Sequence, residues 1–328
     1  MTLNPTGRQP QETHLDNKAE LASIESIEEG FASLGYICNP RIATAVFLAS
    51  RLRKPILVEG PPGVGKTELA KTAAKLLDMP LVRLQCYEGL DEAKALYEWK
   101  YGKQLLYTQV LKEKMGELLD GTRGLAESVA RLHSVGDVFY SPEFLEPRPL
   151  LQAMEHKDGA VLLIDEIDKS DHEFESLLLE TLSDYQVSIP EIGTIKAQST
   201  PLVFLTSNNT RDLSDALKRR CLHLHIPFPS IELEERILKS RVPELDDSLR
   251  RQLVGFVHAV RELDLKKQPA VSETIDWAKS LLLLHASELD EQLLNDTLSV
   301  LLKFEQDIET AVQERRDLLR TARPAAEH

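Results

Sequence analysis

Eight consecutive residues, Gly60-Pro61-Pro62-Gly63-Val64-Gly65-Lys66-Thr67, place three glycines, a lysine and a hydroxyl at a spacing suited to holding phosphate. Glycines let backbone N–H groups turn inward around phosphate oxygens, and a following helix N-terminus adds a favourable dipole. From such a loop Lys66 reaches the β- and γ-phosphates, Thr67 offers its hydroxyl to magnesium, and Glu68 opens the next helix. The loop has the flanks this chemistry needs. An apolar run, Pro55-Ile56-Leu57-Val58, reads as a buried strand before it, and Glu68 to Leu77 reads as a helix after it. The stretch is a P-loop, and the chain is expected to bind a nucleoside triphosphate, ATP, with Mg2+.

Three further clusters carry chemistry. Val161-Leu162-Leu163-Ile164-Asp165-Glu166 is a buried strand with two carboxylates at its C-terminal edge, where ligands sit in open α/β sheets. Asp165 is placed to hold magnesium and Glu166 to polarise an attacking water. Leu202 to Ser207 is a second buried strand and ends in Asn208-Asn209. Asn208 is the first candidate to contact a γ-phosphate and Asn209 the second, while a loop-forming Asn pair is the plainer alternative. Arg219 and Arg220 precede the last strand and suit a cation offered to a neighbouring subunit's phosphate, Arg220 being favoured. A solvated basic turn is the other reading of that pair.

The elements that must position these residues follow from periodicity. Short apolar strands at Ile56–Val58, Leu81–Leu84, Val161–Ile164, Leu202–Leu205 and Leu222–Ile226 alternate with helical patterns. That alternation predicts an α/β fold, a five-stranded parallel sheet with helices on both faces. After Pro227-Phe228-Pro229 only Leu-rich helical stretches remain, with Leu294, Leu298, Leu301 and Leu302 on one face. The expected organisation is a polar tail over 1–18, an α/β core over 19–229, a smaller all-helical domain over 230–322 and a frayed end over 323–328. Within the core, an insertion is expected near 88–109 and a β-hairpin near 186–197.

Composition bounds the rest. The 328 residues carry a formal net charge of −14 with no block of lysines or arginines. A strongly acidic chain is poorly suited to general nucleic-acid binding, which works by displacing counterions with positive charge. Three dispersed cysteines, Cys38, Cys86 and Cys221, offer no disulfide framework. No signal peptide or membrane span is read, so the cytoplasm is the expected location.

GPPGVGKT, LLIDE, the SNN strand end and ALKRR occur in the order that AAA+ ATPases show, and the chain resembles the MoxR group among them. The wording of GPPGVGKTELAK, QCYEGLDEAKALYEW, RRCLHLHIPFP and VSETIDWA is most similar to the CoxD-like branch, over about residues 35–290. The resemblance implies an AAA+ core with a helical lid and a homo-oligomeric ring, a hexamer by family expectation. It further implies a von Willebrand factor A domain adaptor and chaperone-like maturation of a metalloenzyme client, by analogy with carbon monoxide dehydrogenase. One position departs from the pattern. MoxR relatives carry a sensor arginine at the start of a lid helix, whereas Thr274 stands there, with no arginine between Arg261 and Arg315. Arg148 is a candidate substitute, or a structural arginine. A DNA-acting AAA+ motor or loader, a small-molecule kinase and a non-hydrolysing nucleotide-switch scaffold are the competing functions.

Weaker signals complete the reading. Cys221, His223 and His225 alternate on a strand and face one way, as a soft metal site or as the less buried side of a terminal strand. Asp168 fits a helix-capping cluster or a role in subunit contacts. Gln85, ending the second strand, is placed to restrain Glu166. Tyr97, Trp99, Tyr101 and Tyr107 crowd the insertion, either to grip a polypeptide or to pack upon it.

Overall fold

Continuous apolar runs bury both sides of a strand, and the three inner strands of the central sheet are built from them, while the two edge strands alternate. The computed structural model describes residues 15, 18–119, 139–190 and 192–322. Five parallel strands form the sheet: β1 (Ile56–Glu59), β2 (Leu81–Gln85), β5 (Val161–Asp165), β8 (Leu202–Ser207) and β9 (Leu222–His225). Their order is β2-β5-β8-β1-β9, so β1 and β5, which carry the P-loop and the paired acids, flank β8. The register sets Gln85 beside Asp165 and Glu59 beside Ser207. All the candidate strand ends therefore emerge along one edge of the sheet.

Alternation within the strands divides the core into two layers. Ile56, Val58, Leu163 and Phe204 face one apolar cluster, shared with α1 (Ile24–Ser33), α2 (Pro40–Leu52) and α3 (Lys66–Leu76). Leu57, Leu162, Ile164, Val203 and Leu205 face the other. There they meet α6 (Pro149–Glu155), α7 (His172–Asp184) and α8 (Asp215–Arg220). Each end of the core is fixed by local chemistry. Asn39 caps α2 by accepting from the Ile42 amide, Pro40 occupies its first turn, and Arg53 closes it in a left-handed conformation. Ser23 caps α1 and separates it from a short 3-10 turn, Ala19–Leu21.

The tails expected at 1–18 and 323–328 lie outside the described residues, except Leu15 and Lys18. Leu15 is buried with the α1–α3 cluster, and Lys18 Nζ donates to the Leu77 carbonyl at 2.7 Å. Packing thus begins upstream of residue 19. The segment after β2 is longer than 88–109. It contains α4 (Glu92–Ala95), β3 (Tyr97–Trp99) and α5 (Tyr101–Leu119), and returns through β4 (Leu145–Pro147), antiparallel to β3. Trp99 meets Tyr97 and Tyr140 edge-on, and Tyr107 meets Phe144, so part of the aromatic cluster packs on itself. β6 (Gln186–Ile189) and β7 (Gly193–Lys196) form an antiparallel hairpin just before β8; Glu191 in its turn lies outside the described residues.

Beyond Pro229 the described residues are helical: α9 (Ile231–Arg241), α10 (Asp247–Arg261), α11 (Val271–Leu283), α12 (Glu291–Leu301), α13 (Glu305–Gln313) and α14 (Arg315–Ala322). Leu294, Leu298, Leu301 and Leu302 are buried in its own cluster around Trp277 and Phe256. A charged knot lies inside this region. Glu234, with none of its surface exposed, accepts from Arg261 at 2.6 and 2.9 Å, from Thr274 at 2.8 Å and pairs with His258 at 2.9 Å. Burial works against its charge, yet His258 and Arg261 hold its carboxyl below the ordinary range. Thr274 is thus committed to a contact within the helical region. Replacing Glu234 by Ala should strand a buried guanidinium and lower stability by about 3 kcal/mol, read as a shift of the urea midpoint. The double change Glu234→Leu with Arg261→Met should recover most of that loss; no recovery would mean the knot is not a coupled pair.

Candidate functional site

β1 runs directly into the P-loop, whose backbone depends on glycine. Gly60 and Gly63 adopt φ of 152° and 72°. A Cβ at Gly60 would stand 2.0 Å from the Ile226 carbonyl oxygen, and one at Gly63 would stand 2.5 Å from Ala270 Cβ. Side chains are excluded at both places by conformation and by space. Pro61 is half-buried, Pro62 is exposed, and Val64 packs against the α1–α3 cluster. Gly65 is the N-cap of α3 and supplies no side-chain cap, which leaves the first-turn amides available for an anion.

Lys66 is buried and uses all three of its protons. Nζ donates to the Gly60 carbonyl at 2.6 Å, to Pro61 at 2.7 Å and to Asn208 Oδ1 at 2.7 Å. Burial pushes its pKa down to about 8, while Asp168, Asp165 and Glu166 pull it back upward. Asn208 is therefore the amide that reaches the P-loop. Asn209 turns away, left-handed at φ 57°, with its amide N–H bonded to Ser207 Oγ.

The two acids of β5 point in different directions because of one hydroxyl. Thr206 Oγ1 donates to Asp165 Oδ1 at 2.6 Å and accepts from the Glu166 amide at 2.9 Å. Glu166 takes a left-handed φ of 58°, a strained conformation for a non-glycine residue that this bond helps to hold. Asp165 is buried and faces Thr67 Oγ1 at 3.0 Å. A threonine hydroxyl and one carboxylate are hard oxygen donors, and magnesium commonly binds through such a pair while keeping several waters. Those residues fit Mg2+. Glu166 accepts from Gln85 Nε2 at 2.9 Å and pairs with Lys169 at 2.7 Å. Asp168 is buried and anchors the loop after β8, accepting from the Asn208 amide, the Thr210 amide and the Thr210 hydroxyl on one oxygen. Burial opposes its charge, but these bonds from Thr210 and Asn208 keep its carboxyl below the usual range.

Other predicted residues lie elsewhere. Glu68 pairs with Arg241 of α9 at 3.0 Å, tying the P-loop helix to the helical region. Arg220 donates to Ser183 Oγ at 2.7 Å and to the Ala216 carbonyl, on its own surface and not at the P-loop. Arg219 is exposed and makes no hydrogen bond or ion pair among the described residues. Of the two, Arg219 is the one held by nothing. Arg148 is bonded to Glu98 and does not meet the P-loop. His223 pairs with Glu59 at 2.6 Å, and no group of three or more metal-binding side chains assembles among the described residues. Beside the P-loop a cavity of about 670 Å³ opens between Tyr36, Gly63, Phe228 and Ile275, large enough for a nucleoside.

Sequence reasoning passed over Thr206 and Arg83. Arg83 donates to Asp165 Oδ2 at 2.5 Å from the edge strand β2. A signal existed: Arg83 and Gln85 are two apart on a strand, hence on one face, beside the strand that ends in the acids.

Two uncharacterized proteins of Staphylococcus aureus, from strains bovine RF122 / ET3-1 and NCTC 8325 / PS 47, are each 27% identical over 238 residues, 70% of this chain and 76% of theirs. The Thermotoga maritima RuvB Holliday junction branch migration motor is similar with a TM-score of 0.43 at 17% identity, covering 93% of this chain and 81% of that one. Among the described residues no helix is long and apolar enough to cross a membrane. The model of the AAA domain of the dynein-related subfamily matches residues 55–221, from the last residue before β1 to the start of β9, and the chain belongs to that family.

Proposed function

We propose that the chain is a magnesium-dependent ATPase that works as a ring of identical subunits and remodels a partner protein. The observation that carries the reading is the convergence of P-loop, β5 and β8: Lys66 meets Asn208 at 2.7 Å while Thr67 meets Asp165 at 3.0 Å. In this reading Lys66 and the backbone N–H groups of Gly63 to Thr67 hold the phosphates, and Thr67 and Asp165 hold magnesium, which neutralises phosphate charge. Glu166 orients and deprotonates water, and Asn208 contacts the γ-phosphate. Gln85 holds Glu166 aside until a rearrangement frees it. Arg219 and Arg220, neither of them bonded to the P-loop among the described residues, serve a neighbour's site, Arg220 by first releasing Ser183 and the Ala216 carbonyl. Motif wording extends the proposal to a von Willebrand factor A domain adaptor and a metalloenzyme client.

A non-hydrolysing switch is the second reading, because Thr274 is committed to Glu234 and supplies no lid cation. The Glu166→Gln variant separates the two. It should bind ATP within about threefold of the parent chain while turnover falls at least about a hundredfold, the scale of a lost general base. If the parent itself shows no turnover with its partner present, the switch reading stands instead.

A pH dependence follows from Lys66. Its pKa near 8 means the protein loses this phosphate-binding charge as pH rises through 8, whereas bound phosphate favours the protonated form. ATP affinity should be level below about pH 7.5 and should weaken above pH 8, approaching tenfold per pH unit. Titration calorimetry from pH 6.5 to 9.5 checks this, and a flat profile contradicts it.

A further inference from the structure

Asp165 is the most heavily contacted acid of the site, and its contacts are unequal. Oδ1 accepts from Thr206 at 2.6 Å and from Thr67 at 3.0 Å, while Oδ2 accepts from Arg83 at 2.5 Å and from Thr67 at 3.3 Å. A carboxylate has about four lone-pair directions, and three donors already share them, the one Thr67 hydrogen being divided between both oxygens. Magnesium, or a water bound to it, needs one of them. Thr206 lies on a central strand and is buried, and its hydroxyl also serves the Glu166 amide. Thr67 is itself a magnesium donor. Arg83 differs from both. It springs from an edge strand on a long stem, and its side chain is 48% exposed, so solvent can receive the guanidinium when it leaves.

The same guanidinium orients the next residue. Arg83 donates to Gln85 Oε1 at 2.7 Å, and Gln85 Nε2 donates to Glu166 Oε2 at 2.9 Å. With a cation on one side and a carboxylate on the other, only one orientation of the amide satisfies both. Asp165, Arg83, Gln85 and Glu166 therefore form a continuous relay across the ends of β2 and β5.

We propose that Arg83 is a tethered cation that competes with magnesium for Asp165, and that its displacement frees Gln85 from the orientation that restrains Glu166. Metal binding and readiness of the water-activating carboxylate are thereby linked through one side chain. Arg83 is a positioning residue in this scheme, acting on Glu166 only through Gln85. The inference rests on the assignment of magnesium to Thr67 and Asp165.

The test is equilibrium binding of the non-hydrolysable analogue AMP-PNP to the full chain, by calorimetry, in EDTA and in saturating Mg2+. The quantity read is the ratio of the two dissociation constants, the gain that metal confers. Arg83→Ala should enlarge that ratio by about three- to tenfold, because the metal no longer displaces a cation, the scale expected of a half-exposed charge-assisted pair. Arg83→Lys should stay near the parent value, and Gln85→Ala, which does not touch the carboxylate of Asp165, should stay within about twofold. An unchanged or smaller ratio in Arg83→Ala overturns the proposal. If Arg83→Ala does not fold, Arg83→Gln is read in the same way; a chain that folds with neither makes the residue structural and also overturns it. A parent ratio near one would instead remove the magnesium assignment itself, an outcome distinct from failure of the Arg83 step.

Discussion

The bond from Thr206 to Asp165, and from the Glu166 amide back to Thr206, sets the geometry on which the candidate site depends. A buried carboxylate is tolerated only when donors replace its water, and Thr206 provides one at 2.6 Å from the neighbouring central strand. The same oxygen holds the amide of Glu166 and with it a left-handed turn that sends the second acid away from the first. The bond adds to the alternation of the strand and to the separate partners of each acid, Thr67 and Arg83 for Asp165, Gln85 and Lys169 for Glu166. With it, one faces the P-loop hydroxyl and the other faces the open edge of β2. Strand order makes this arrangement possible, since β8 lies between β5 and β1.

Positive charge balances the site from three sides: Lys66 from the P-loop, Arg83 from the edge strand and Lys169 from the turn after β5. Each is already bonded to a group that nucleotide chemistry would require, so ligand binding must exchange partners and not merely fill space. The helical region adds a fourth constraint. Arg241 holds Glu68 at the start of α3, and Ala270 packs on Gly63, so the α9 and α11 ends bear directly on the phosphate loop. Phe228, at the junction, stacks on Arg261, the cation that the buried Glu234 holds. These contacts join the helical region to the P-loop and its helix.

The strands were legible because continuous apolar runs such as Val161 to Ile164 have no other stable place than a doubly covered sheet. The P-loop was legible because its glycines answer a backbone requirement. What escaped notice acts through three-dimensional neighbours. Thr206 looks like an ordinary strand residue until β8 is placed beside β5. Arg83 looks like a solvent-facing charge until the β2–β5 register sets it next to Leu163, two residues from Asp165. Asn208, preferred over Asn209 from the sequence, meets Lys66 at 2.7 Å, and only the left-handed turn at Asn209 needed the fold to be seen. The insertion was read too short because its closing strand, Leu145–Pro147, is three residues long and contains a proline. Likewise Thr274 announced a missing arginine, but only Glu234 explains what the threonine does instead.

Completion of each site by a neighbouring subunit makes turnover depend on assembly. The decisive measurement is ATP turnover per subunit against protein concentration, with the double variant Arg219→Ala, Arg220→Ala alongside. Turnover should climb with concentration in the parent chain and fall at least about a hundredfold in the variant, with ATP binding retained. Turnover that is independent of concentration and indifferent to both arginines would contradict it, and would mean a self-sufficient site in every chain.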